Sequence, residues 1–73
     1  MMLLVLYSLD SDFHVISKQE VETTIQAEEI IHKHISSANY SNLRQVDDED
    51  CTLRYIADPP KGRKGRNVAS LEF

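Results

Sequence analysis

The pattern of apolar and polar residues begins with a nearly continuous apolar segment, residues 2–9. Asp10, Ser11 and Asp12 end this segment, and such residues form turns because their side chains bond to nearby backbone amides. A short apolar run closed by a turn is typical of a strand covered on both faces. Residues 13–16, which are apolar except for His14, then predict a second strand that pairs with the first as a hairpin.

A helix is predicted next, over residues 18–37. Ser17 and Glu20 have the spacing of a capping box, in which each side chain bonds to the backbone amide of the other residue. At about 100° per residue, the apolar positions fall on one broad side of this helix. These positions are Val21, Ile25, Ile31, Ile35 and Ala38, and the polar side carries Gln19, Glu22, Thr23, Gln26, Glu29 and Lys33.

An alternative remains for residues 21–27, where apolar and polar residues also alternate with the period of a strand. In that version the helix begins near Ala27 and lacks a good N-cap. The capping box favours the longer helix. The polar residues 39–42 end the helix in both versions.

The second half of the chain predicts further strands. Residues 43–46 are expected to form a short edge strand, and the acidic residues 47–50 a solvated turn. Residues 51–57 and 67–73 each alternate with a period of two, which predicts the strands of a long-tipped hairpin. The positions expected to face the helix are Cys51, Leu53, Tyr55 and Ala57. In the last strand, Ala69, Leu71 and Phe73 are expected on one face and Val68, Ser70 and Glu72 on the other.

Together these elements predict an α+β fold, a small antiparallel sheet of three to five strands packed on one amphipathic helix in ββαββ order. A length of 73 residues leaves room for one domain, residues 1–73. A chain this short buries only about 60% of its unfolded surface, so homodimerisation would help to stabilise it. The single cysteine cannot close an internal disulfide, and the apolar start lacks a preceding basic residue, so we expect a cytoplasmic location and no membrane span.

Charge is divided unevenly along the chain. The formal net charge is −4, yet Lys61, Arg63, Lys64 and Arg66 fall within six positions. We call residues 59–66 the basic loop. Its cations and its two glycines suit nucleic-acid backbone, another phosphate ligand or an acidic protein groove, although a solvated hairpin tip has the same composition. The loop lacks the Gly-Lys-Ser/Thr ending of a nucleotide-binding P-loop.

Catalytic and metal chemistry are not indicated. His32 and His34 stand two apart on the predicted helix and diverge by about 200°, so they cannot chelate one metal ion together. Cys51 is expected to be a small buried residue. No base, nucleophile and orienting group converge, so we expect neither an enzyme nor a cofactor. Tyr40, in a polar loop, is expected to be an exposed contact residue for a partner.

The strand at residues 2–9, the helix at 17–37 and the hairpin at 51–73 give the whole chain an architecture that resembles small phage-encoded inhibitors of bacterial machinery. Anti-CRISPR proteins and the phage inhibitor of host RNA polymerase belong to this group. The resemblance implies a stoichiometric binder in the host cytoplasm that covers a functional surface of a host protein. The alternative is binding of nucleic acid or a phosphate ligand through residues 61–66.

Overall fold

A computed structural model describes residues 1–11, 13–47 and 51–73. They form one antiparallel sheet of five strands, in the order β2-β1-β5-β4-β3, and one helix. Along the chain the elements are β1 (Met2–Tyr7), β2 (Val15–Val21), α1 (Thr24–Ser36), β3 (Ser41–Asp47), β4 (Thr52–Asp58) and β5 (Asn67–Glu72). The predicted α+β class is confirmed. The short edge strand is present as β3, so the full order is ββαβββ.

Helix α1 connects the two edges of the sheet, because β2 and β3 are its outermost strands. The helix packs on one face, where alternate residues such as Leu4 and Leu6 of β1 enter the core. The buried apolar residues of this core are Leu4, Leu6, Leu9, Val21, Ala27, Ile31, Ile35, Tyr40, Tyr55, Ala57, Val68, Ala69 and Leu71. The other face, with Leu3, Val5 and Tyr7, is not covered by a second layer within the described ranges. Thus β1 is an interior strand, but the helix covers only one of its faces.

The predicted start of the helix is wrong, because Ser17 and Glu20 belong to a strand. They lie in β2, where Ser17 pairs with Leu6 and Glu20 with Leu3 of β1. Pairing with the apolar first strand provides hydrogen-bond partners for the backbone groups of residues 15–21 that face β1. This tertiary pairing outweighs the local capping signal.

The helix begins instead after Thr23, which is its N-cap. The amide of Gln26 donates to the Thr23 hydroxyl at 3.1 Å, and the Gln26 side-chain carbonyl accepts from the amide of Glu22 at 3.0 Å. This is the same Thr-x-x-Gln spacing as a capping box, with the return bond shifted by one residue. The alternative strand over residues 21–27 is therefore also wrong, since it would cross this helix start.

The apolar face of α1 matches the prediction only in part. Ile31 and Ile35 are buried as expected, together with Ala27, whereas Ile25 is 70% exposed. Val21 is buried as well, but it lies in β2. A helix that begins at residue 24 places Ile25 in its first turn, on the side that faces away from the sheet.

Strand β4 agrees with the predicted alternation, since Leu53, Tyr55 and Ala57 all contact the core. In β5 the prediction is correct for Ala69 and Leu71 but wrong for Val68, which is also buried in the core, next to a shift in the register of the β4–β5 pair.

Two further expectations fail at the outer end of the β4–β5 hairpin. Cys51 is exposed and has a left-handed backbone with φ of 59°, because it precedes β4 rather than opening it. Phe73 lies beyond the end of β5 and is 57% exposed. Of the predicted acidic turn, Asp47 ends β3, and residues 48–50 lie outside the described residues.

Candidate partner-binding surface

The topology places the basic loop and the β1–β2 turn at the same end of the sheet. The loop joins the end of β4 to the start of β5, and the turn leads out of the end of β1. The four cationic side chains of the loop, Lys61, Arg63, Lys64 and Arg66, are all exposed. We call this end of the sheet the basic end. Glu20, Glu22 and Glu72 lie at the opposite end of the strands, whereas Asp10 and Asp58 lie at the basic end in ion pairs with arginines.

Tyr40 fastens the basic loop to the β1–β2 turn. Its hydroxyl oxygen lies 2.7 Å from the carbonyl oxygens of both Leu9 and Gly65. The ring is 7% exposed and belongs to the core. The prediction that Tyr40 is an exposed contact residue is therefore wrong. This tyrosine acts from beneath the surface, because it fixes two segments that are far apart in the sequence.

Gly65 makes this fastening possible because it allows a close backbone approach. Its amide donates to the Leu9 carbonyl at 3.3 Å, and a Cβ atom at this position would stand only 2.9 Å from the same oxygen. The glycine is itself buried. From composition alone both glycines of the loop suit a bound ligand, but in the structure Gly65 faces the protein.

The cations of the basic loop have different environments. Arg63 donates to the Asp10 carboxylate at 2.8 Å and so forms an exposed ion pair with the β1–β2 turn. Arg66 accepts a backbone hydrogen bond from Ala57 through its carbonyl oxygen at 3.1 Å. Lys61 and Lys64 make no hydrogen bond or ion pair with any residue that the structure describes. Their ammonium groups are available to a partner.

Phe13 presents an aromatic ring at the same end. It lies in the β1–β2 turn with a left-handed φ of 62°, which is uncommon for a bulky residue, and it is 57% exposed. Its ring meets that of Tyr7 edge-on, with 5.6 Å between the centroids, and the Arg54 guanidinium lies 5.7 Å from the centre of the Phe13 ring. These contacts hold an exposed aromatic in place.

Sequence reasoning missed Phe13 because it treated the residue as part of the second strand. The available signal was its position directly after three turn-forming residues, Asp10, Ser11 and Asp12. The alternation of a strand does not direct an aromatic residue in a turn into the core. The exposed aromatic of this surface is therefore Phe13, in place of Tyr40.

Asp58 lies at the basic end, where it ends β4 and pairs with Ser41 of β3. It accepts from the Asn42 side-chain amide at 3.1 Å and forms an ion pair with Arg44 at 3.2 Å. The hydrogen bond from Asn42, and after it the one from Arg44, lowers the pKa of the Asp58 carboxyl below its ordinary value. A carboxyl whose pKa is lower in the folded state adds stability above its unfolded pKa, and this contribution is lost as the pH falls through the folded value.

We therefore expect Asn42→Gly to raise the pKa of Asp58, since it removes the largest cause of the shift. Glycine is the suitable replacement because Asn42 has a left-handed φ of 58°. The measurement is an NMR titration of the Asp58 side-chain carboxyl carbon in both proteins. An unchanged titration midpoint would contradict the role assigned to Asn42. In the same proteins, the stability lost as the pH falls below the unfolded pKa of Asp58 should be smaller in the variant, because its folded pKa lies closer to the unfolded value.

The histidines differ in position: His14 is exposed in the β1–β2 turn, whereas His34 has a structural role. His34 donates from Nε2 to the Tyr7 carbonyl at 2.9 Å and so ties α1 to the end of β1. Within the described residues, no group of three or more His, Cys, Asp or Glu side chains is arranged to hold a metal ion. Across the same ranges, no helix has the length and apolar character needed to cross a membrane.

The basic end thus combines two lysines without partners among the described residues, an exposed and supported aromatic ring, and a loop fixed from below by Tyr40. Comparison with known proteins adds no family to this description. No protein-family model, curated protein or solved structure shows significant similarity to the chain.

Proposed function

We propose that this chain is a non-catalytic protein-binding module that uses its basic end to cover an acidic surface of a partner protein. Lys61 and Lys64 would meet carboxylates of the partner, and Phe13 would supply the central apolar contact. This is the mode of action implied by the resemblance to small phage-encoded inhibitors, in which the partner is a host defence or transcription protein.

The observation that carries the proposal is the pair of contacts from the Tyr40 hydroxyl to Leu9 and Gly65, each 2.7 Å long. A hairpin tip that only keeps the sheet soluble does not require buried hydrogen bonds to hold it in one position. A fixed loop loses less conformational entropy when it binds, so a larger share of the contact energy appears as affinity. The contacts of the Tyr40 hydroxyl, which we call the clamp, therefore favour a binding loop over a solvated hairpin tip.

The chemistry of the surface agrees with a protein partner. Interface hot spots are rich in aromatic residues surrounded by polar side chains. The exposed Phe13 lies at the same end of the sheet as the cations of the basic loop, and its ring contacts the Arg54 guanidinium. Cations at the rim also speed the encounter with an acidic surface.

A second candidate is binding of single-stranded nucleic acid, which the Phe13 ring favours because bases stack on exposed aromatics. Asp10 and Asp58 lie at the same end, however, and Arg63 is already paired with Asp10. A continuous phosphate backbone would meet these carboxylates as well as the cations. Few cations then remain to contact phosphates, and the release of counterions would contribute little affinity. We therefore rank this function second.

The test is affinity capture from nuclease-treated bacterial lysate, with binding measurements on the purified partner. Lys61→Ala/Lys64→Ala is expected to weaken binding by about tenfold or more, since two charged contacts are lost. The matched control is Lys18→Ala/Lys33→Ala, which removes the same charge from exposed positions of β2 and α1.

Two results would count against the proposal. Equal weakening by both double variants would show that only the total charge matters. Capture that disappears on nuclease treatment and falls steeply with salt would instead support nucleic-acid binding.

A further inference from the structure

A small polar cavity lies between the helix and the edge of the sheet formed by β3 and β4. Its volume is about 140 Å³. It is present because α1 packs mainly on β5 and β2 and leaves the other side of the sheet less covered. The cavity is lined by Glu28 and His32 of α1, Leu43, Arg44 and Gln45 of β3, and Tyr55 of β4.

Tyr55 is the unusual residue of this cavity. It is only 2% exposed, and its buried hydroxyl oxygen has no hydrogen-bond partner among the described residues. Buried polar groups in folded proteins are nearly always paired, so an exception points to a missing water or ligand. Burial, and then the Glu28 charge, raise the pKa of Tyr55, so the phenol remains neutral and can donate or accept.

The charges around the cavity favour a cation over an anion. Glu28 and His32 stand four apart on α1 and therefore face the same side of the helix. Glu28 makes no hydrogen bond or ion pair with the residues described. The positive charge of Arg44 is already matched by Asp58, and the same guanidinium donates to the Asn42 carbonyl at 2.9 Å. The remaining uncompensated charge is the carboxylate.

We propose that this cavity binds an alkylguanidinium or alkylammonium group. The cation would pair with Glu28 and donate to the Tyr55 hydroxyl oxygen and the Gln45 amide oxygen, while the alkyl stem would lie against Leu43. The size is suitable, since an engineered protein cavity of about 150 Å³ admits benzene. This site does not depend on the basic loop, so it can be tested separately from the proposed function.

Two sources could supply this chemistry, a free small molecule or the arginine or lysine side chain of a partner protein. They share the cationic head and the apolar stem. They differ at the far end of the stem. In a free small molecule this end is not attached to protein, whereas in a side chain it is attached to a peptide backbone. Agmatine and N-acetyl-arginine N-methylamide represent these two sources.

The first experiment is an NMR titration of the full chain with methylguanidinium, using N-methylurea as the neutral probe of similar shape. We expect saturable shifts at Leu43, Gln45 and His32 with the cation and none with the urea. Glu28→Gln should weaken binding by about tenfold or more, because it replaces a charge-assisted contact with a neutral one. The matched control, Glu29→Gln, removes the same charge from an exposed neighbour and should leave the affinity unchanged.

Tyr55→Phe should also weaken binding while keeping the amide spectrum of the folded protein. Absence of saturable shifts, equal binding of the urea, or equal loss in Glu28→Gln and Glu29→Gln would each overturn the proposal. Without saturable shifts, the cavity would be assigned to bound water alone. If methylguanidinium binds, tighter binding of the blocked arginine assigns the site to a partner side chain, and tighter binding of agmatine assigns it to a free small molecule.

Discussion

Tyr40→Phe is expected to lower the free energy of unfolding by about 1–3 kcal/mol and to release the basic loop from the β1–β2 turn. The substitution removes only the hydroxyl oxygen, which lies 2.7 Å from the carbonyls of Leu9 and Gly65 in a buried position. Those carbonyls would lose a donor that no rearrangement of the phenylalanine can replace. The ring would remain in the core, so the fold itself should persist.

Tyr55→Phe is the matched control for this prediction. Both tyrosines are buried core residues, but the Tyr55 hydroxyl has no partner among the described residues. Its removal should change the free energy of unfolding by less than about 0.5 kcal/mol, or raise it, because no hydrogen bond is lost. Urea denaturation monitored by circular dichroism measures both values, and similar losses in the two variants would contradict the clamp.

Amide hydrogen exchange tests the second half of the same prediction. The Gly65 amide donates to Leu9, and the Ala57 amide donates to the carbonyl of Arg66 at the other side of the loop. Both should exchange faster in Tyr40→Phe, relative to amides in the middle of β5, if the hydroxyl holds the loop in place. Partner affinity should fall in parallel, since a released loop must be ordered again on binding.

The parts of the fold that could be predicted from the sequence are those in which one local pattern decides the outcome. Leu53, Tyr55 and Ala57 recur at every second position, and one face of β4 is buried as a result. Ile31 and Ile35 are four apart and both face the sheet. In each case the side-chain spacing of a single strand or helix decides which residues are buried.

The parts that could not be predicted depend on segments that are distant in sequence. The capping signal at Ser17 and Glu20 was real as a pattern, but Glu20 pairs in the sheet with Leu3, near the other end of the hairpin. Tyr40 stands in a polar stretch, and only the fold brings Leu9 and Gly65 to its hydroxyl. The cavity beside Tyr55 likewise arises from where α1 lies on the sheet, which no local pattern encodes.

The same reasoning explains why the cations were identified and the aromatic contact was not. Lys61 and Lys64 are recognisable from the composition of the loop alone. The exposure of Phe13 depends on the length of the β1–β2 turn and on contacts with Tyr7 and Arg54, which lie on different strands. Charge is a property of the residue, whereas exposure of an apolar ring is a property of the fold.

Ile31→Ala is expected to lower the free energy of unfolding by about 2–5 kcal/mol, whereas Ile25→Ala should change it by less than about 0.5 kcal/mol. The two substitutions are chemically identical and lie on the same helix. Ile31 is fully buried, so its loss leaves a cavity, and Ile25 is 70% exposed. Alanine is also the better helix former, which offsets the small apolar contact that Ile25 loses.

Urea denaturation of the two variants therefore distinguishes the observed helix, Thr24–Ser36, from the predicted helix over residues 18–37. In the longer helix both isoleucines lie on the apolar side, and both substitutions would destabilise the protein. A domain of this size has little stability to spare, so Ile31→Ala could fail to fold. Ile31→Val then gives the same test on a smaller scale, with an expected loss of about 0.5–1.5 kcal/mol. A comparable loss in Ile25→Val would place Ile25 in the core and contradict a helix that begins at Thr24.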